Sequence, residues 1–113
     1  MTGVRITIAR FLGEEPQPGV VECQLLDAHG RSWSFIEKTS VVSAAPLDAR
    51  TAYPQPGTIA VEVLSRSHDG VTGRETVWID TARPWGMESV EGETRFEVSP
   101  ESLVELATTA DRG

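Results

Sequence analysis

Two histidines, one cysteine and three tryptophans are the residues of this chain with chemistry to offer. His29 and His68 both fall in stretches that read as hairpin turns. Together with Asp27, Asp69 or Asp80 they would supply zinc ligands if the spacing brought them together. No HxH, HxxxH or HxxE pair occurs, so the sequence implies neither a metal site nor a cofactor. Cys23 is the single cysteine. It excludes an internal disulfide and any multi-cysteine zinc site. Its place on the apolar side of a strand makes it a buried structural thiol, since nucleophilic thiols need exposure and a positive neighbourhood. There is no G-x-S-x-G elbow and no glycine-rich loop between a strand and a helix. Glu88, Glu91 and Glu93 alternate with Ser, Val and Gly, the pattern of a solvated acidic loop. The reading therefore leans away from an enzyme.

The aromatic residues point elsewhere. Trp85 lies in residues 82–92, ARPWGMESVEG, the most unusual loop of the chain. A tryptophan among Pro and Gly either plugs one end of the fold or stands out as an anchor, because Trp, Arg and Met are enriched at interface centres. Trp78 has the opposite parity to Val77 and Ile79, which places it on the outer face if those two are core. The expected patch is Trp78, Trp85 and Met87, with Asp80, Arg83, Glu88 and Glu91 around it.

Strands must position these side chains. The clearest is a hairpin, Val20 to Glu37, reading VVECQLLDAHGRSWSFIE. Val21, Cys23 and Leu25 alternate with Glu22 and Gln24, the period of a half-buried strand. Asp27 suits the first position of a type I turn, and Gly30 supplies the positive φ that follows. A bulged turn that sets Asp27 against Arg31 pairs Leu25 with Trp33, Gln24 with Ser34 and Cys23 with Phe35. A one-residue slip would mix the faces. Val20, Leu26 and Ile36 then fall on the outer face.

Elsewhere, Val4, Ile6 and Ile8 share a face, and Phe11 breaks their parity, so the first strand ends or bulges near Arg10. Gly13 to Gly19 is a proline-bearing loop. Thr39 to Ala45 reads as a short edge strand in preference to a helical turn. Pro46 to Gly57, with three prolines, is a connection anchored by Tyr53. Thr58 to Arg66 is a second strong strand, with Ile59, Val61 and Val63 inward. Arg74 to Thr81 returns after a glycine-bearing hairpin loop, and Thr94, Phe96 and Val98 point inward from a last strand. Ser99-Pro100-Glu101 has the chemistry of a helix start, and Leu103, Leu106, Ala107 and Ala110 form one stripe. A short helix over 100–108 is predicted, with a frayed tail at 109–113.

The expected fold is all-β and mainly antiparallel, a compact barrel or roll of five or six strands with a short C-terminal helix. Residues 1–113 read as one small domain. The net charge is -7 at a pI near 4.7. Residues 1–56 carry five Lys+Arg against six Asp+Glu, and residues 57–113 carry five against eleven. Such a balance argues against phosphate-based nucleic-acid binding and suits a basic protein partner. No apolar run approaches the roughly 20 residues of a membrane helix, and the N-terminus lacks a signal-peptide pattern. A cytoplasmic protein is expected, with no membrane association.

These features order the functional readings. The first is a non-catalytic module that binds a protein partner. The second is a small-ligand barrel with Trp33, Phe35 and Phe96 around a cavity. An enzyme would use His29 and His68. A homodimer would pair through an edge near Val41.

Overall fold

The computed structural model describes residues 1–15, 19–43 and 46–106. Pro16 and Pro18 of the proline-bearing loop, Ala44 and Ala45, and the tail expected at 109–113 lie outside the described residues.

Alternation of apolar and polar side chains produces the first long strand, β1 (Thr2–Gly13), whose Val4, Ile6 and Ile8 are buried while Arg5 and Thr7 face water. Its pairing with β2 (Val20–Leu26) slips between Ile8 and Arg10. The strand thus bulges where Phe11 leaves the parity, and it continues to Gly13. β2 pairs with β3 (Ser32–Lys38) in the register expected from the turn: Cys23 opposite Phe35, Gln24 opposite Ser34, Leu25 opposite Trp33. Gly30 has φ +85°, and the Asp27 N–H donates to the Arg31 carbonyl at 2.9 Å. Asp27 Oδ1 accepts the His29 and Arg31 N–H groups at 2.8 and 2.9 Å.

After β3 the structure departs from the expected edge strand. Thr39–Val42 is a single helical turn, α1, with Thr39 and Val42 buried. Val42 closes over the sheet: a Cβ on Gly57 would come within 2.8 Å of the Val42 carbonyl oxygen. Val41 thus lies in a helical turn, and the edge strand nearest to it in the chain is β3. β4 (Gln55–Ala60) begins inside the proline-bearing connection and pairs with β1. It is the last strand of its sheet, which is where a strand tolerates Pro56 without an N–H to donate.

The stretch read as one strand, Thr58 to Arg66, is two. It breaks at Val61, whose N–H donates to the Thr2 carbonyl at 3.0 Å. β5 (Glu62–His68) then starts a second antiparallel sheet with β6 (Glu75–Asp80) and β7 (Arg95–Val98). The first sheet has the order β3-β2-β1-β4, the second β5-β6-β7.

The predicted C-terminal helix is absent over its described part. Pro100–Ser102 forms one 3-10 turn, and Leu103–Glu105 is a strand, β8, antiparallel to Thr2–Val4 of β1. The reason lies in β1: β2 covers its edge only from Thr7 onward, leaving Thr2–Val4 to be paired. An open ladder outweighs a weak helical stripe.

The barrel does not close either. Eight described strands divide into two sheets around one core, to which Ile8, Cys23, Leu25 and Phe35 contribute from one sheet and Val77, Ile79, Phe96 and Val98 from the other. Neither β3 and β7 nor β4 and β5 share a ladder. The Ala28 N–H donates to the Glu97 carbonyl and the Val90 N–H to the Ser34 carbonyl, each at 2.8 Å. A turn and a loop thus fill the seam. Trp33, Phe35 and Phe96 pack on one another, with centroids 5.2 Å apart for Trp33–Phe96 and 5.7 Å for Phe35–Phe96. Phe35 and Phe96 are buried in this part of the core, while Trp33 and Phe96 also border an open cleft of about 370 Å³.

Candidate functional site

The loop after β6 is held from within. Thr81 is fully buried, and its hydroxyl donates to the Met87 carbonyl at 2.8 Å. The Met87 N–H returns to the Thr81 carbonyl at 3.1 Å, and the Gly86 N–H donates to the Ala82 carbonyl at 2.8 Å. Asp80, buried, accepts the Ala82 N–H at 2.8 Å. Gly86 takes φ +68°, a conformation that disfavours a side chain. Met87 is 3% exposed and anchors the loop in the core, while Trp85 is left 45% exposed.

Trp85 and Met87 form one side of an open cleft of about 420 Å³. Glu37, Ser40 and Val41 form the other. The position of Glu37 follows from strand parity. Trp33 and Phe35 point inward from β3, and two residues later the same face carries a carboxylate. Glu37 is half-buried. Burial pushes its carboxyl above the usual carboxylate value. Among the described residues its carboxylate makes no ion pair or hydrogen bond. The same charge, after burial itself, helps push the Cys23 thiol up to about 12, so that sulfur is an inert core atom.

An acid whose folded pKa is raised costs stability when it is ionised. The folded state holds the proton more tightly, so stability falls as pH rises from the ordinary carboxylate value through the raised one. Glu37→Gln is therefore expected to raise the melting temperature at about pH 7, with the gain disappearing below about pH 4. Thermal melts of both proteins at the two pH values check this. An unchanged or lower melting temperature at neutral pH would show that the carboxylate is satisfied.

The predicted patch is divided by the fold. Trp85 and Met87 share the cleft, although Met87 is turned inward. Asp80 is buried in its capping role, and Arg83 and Glu88 are exposed. Glu91 is exposed and pairs with Arg31, Oε2 to guanidinium nitrogen 3.2 Å. Trp78 is 38% exposed on the outer face of β6, opposite Glu97, and lines a different cleft beside Asp27 and Arg95. Glu37 and Ser40 are functional candidates that sequence reasoning passed over, and Val41 entered it only as a dimer edge. The signal for Glu37 was present: a charge in phase with Trp33 and Phe35.

The histidines meet a polar network. His29 Nε2 lies 2.7 Å from Glu97 Oε1, and the Thr76 hydroxyl donates to Glu97 Oε2 at 2.5 Å. The Thr76 bond first, and the His29 bond next, hold the Glu97 carboxyl below its ordinary value. Arg74 donates to the Ala28 carbonyl. His29 and His68 do line one cleft of about 380 Å³. Among the described residues, however, no three His, Cys, Asp or Glu side chains are placed to hold a metal ion. The network ties the β2–β3 turn to the outer face of the second sheet, a structural task. Another cleft, about 620 Å³, runs along β4 beside Pro54, Pro56 and Val42, with Arg5 as its charged residue. Arg5 donates to the Glu101 carbonyl at 3.0 Å.

Leu26 and Ile36 are exposed on the outer face of the hairpin, at 58% and 47%. Among the described residues, no helix is long and apolar enough to cross a membrane. No family model, curated protein or solved structure matches the chain.

Proposed function

We propose that this protein is a non-catalytic interaction module of the cytoplasm, binding another protein of basic character through the end of the fold that carries Trp85. The observation that carries the reading is the exposure of Trp85 on a loop braced at Asp80, Thr81 and Met87. An indole held in water on a preorganised loop loses little freedom when a partner covers it. Tryptophan is also among the residues that dominate binding energy at interface centres. The net charge of -7 favours encounter with a basic surface.

The test is capture of partners from a native lysate by the wild type and by Trp85→Ala. A stoichiometric partner is expected, bound at least about tenfold more weakly by the variant. The variant should keep the wild-type melting temperature within a few degrees, because the indole it loses is half-exposed. Retention of the partner by Trp85→Ala, or the absence of any partner, overturns the reading.

A further inference from the structure

We infer that the cleft between Glu37 and Trp85 receives an arginine side chain of the partner protein. Two features coincide in this cleft: a half-buried carboxylate and a half-exposed indole. Charges seldom lie on a core-facing position, and here one stands beside an exposed indole. A single guanidinium would answer both. It stacks flat on an aromatic face and forks onto a carboxylate, and it sheds water more readily than an ammonium.

The molecule already contains this arrangement at the opposite end of β3. Arg31 lies over the Trp33 ring, its central carbon 3.7 Å from the centroid, and reaches Glu91 at 3.2 Å. Arginine, indole and carboxylate are complete there. At the Lys38 end of the strand, the cleft supplies indole and carboxylate, and no described cation pairs with Glu37. Burial raises the cost of that unpaired charge, which an incoming cation would remove. At about 420 Å³ the space falls within the size range of binding sites. The lining is suited to one side chain: Val41 and Met87 against the methylenes, Ser40 and Glu37 at the polar end.

This inference rests on the interaction reading, and its test is separate. Acetyl-Gly-Arg-Gly-amide and the same peptide with citrulline, which keeps the shape and lacks the charge, are titrated into isotope-labelled protein. The Trp85 indole N–H resonance is followed. The arginine peptide should shift it saturably, at least about tenfold more tightly than citrulline. In Glu37→Gln that preference should vanish while the Trp85 resonance stays at its free position. A lysine peptide should bind more weakly than arginine. Equal binding of arginine and citrulline, tighter binding of lysine, or no saturable shift up to roughly 20 mM arginine peptide overturns the inference. Partner capture separates the two ideas. A partner lost by Trp85→Ala but kept by Glu37→Gln leaves the interaction module standing and removes the arginine pocket.

Discussion

Phe96→Ala is expected to lower the free energy of unfolding by about 3–5 kcal/mol. The ring is 2% exposed and comes from β7, in the second sheet. It meets Trp33 edge-on, at an interplanar angle of 68°, and Phe35 at a tilt, both from β3 of the first sheet. No ladder joins β3 to β7. Among the described residues only the backbone bonds from Ala28 and Val90 cross this seam, so side-chain packing carries much of what ladders do within the sheets. Aromatic pairs of this kind add about 0.5–1.5 kcal/mol each beyond the area they bury. Small domains are stable by only about 5–15 kcal/mol, so the loss would leave little margin. Urea unfolding followed by tryptophan fluorescence measures it. Phe96→Leu, which keeps much of the volume, should recover more than half. A loss below about 1.5 kcal/mol would show that the seam is held by its backbone bonds and by Arg74 on the Ala28 carbonyl.

Asp27→Ala should cost about 2–3 kcal/mol. One carboxylate organises the whole β2–β3 turn. Oδ1 accepts two backbone N–H groups, and Oδ2 accepts the Trp33 indole N–H at 3.0 Å. Trp33 is in turn a neighbour of Phe96, so the turn and the seam are mechanically linked. Partial burial pushes the Asp27 carboxyl up, but the bonds from Trp33, Arg31 and His29 outweigh it and hold it below its ordinary value. In this case the unfolded chain takes up the proton first. The contribution of Asp27 is complete at neutral pH and is lost as pH falls through the depressed folded value. Wild type should lose stability more steeply than Asp27→Ala on acidification below about pH 4. Parallel slopes in denaturant titrations at several pH values would show that the turn does not need the charge.

The hairpin was legible because two independent signals agreed. The turn residues Asp27 and Gly30 fixed the loop, and the parity of Cys23, Leu25, Trp33 and Phe35 fixed the register. The sheet boundary was not legible. Ile59, Val61 and Val63 alternate without interruption, and nothing local marks Val61 as the point where the chain changes sheets. That break depends on Thr2, far away in sequence. The C-terminal stripe misled for a similar reason: Leu103 suits a helix or a strand, and the unpaired Thr2–Val4 segment decides between them. The tryptophans were legible singly. Trp78 does face outward, and Trp85 does sit in a Pro- and Gly-bearing loop. Their separation into two clefts depends on which elements the sheets place beneath them. Glu37 was readable by the same parity that found Trp33 and Phe35, as the position where the apolar face gives way to a charge.

The pairing of β1 also has a consequence for biosynthesis. This strand lies against β2, β4 and β8, and its Thr2 stands opposite Glu105. It leaves the ribosome before any of the other seven described strands, yet its hydrogen bonds are complete only after β8 has emerged. Until then Thr2–Val4 presents a bare edge to whatever strand is near. Contacts this distant in sequence slow folding, so the nascent chain has a long interval in which a chaperone that shields Thr2–Val4 would matter most.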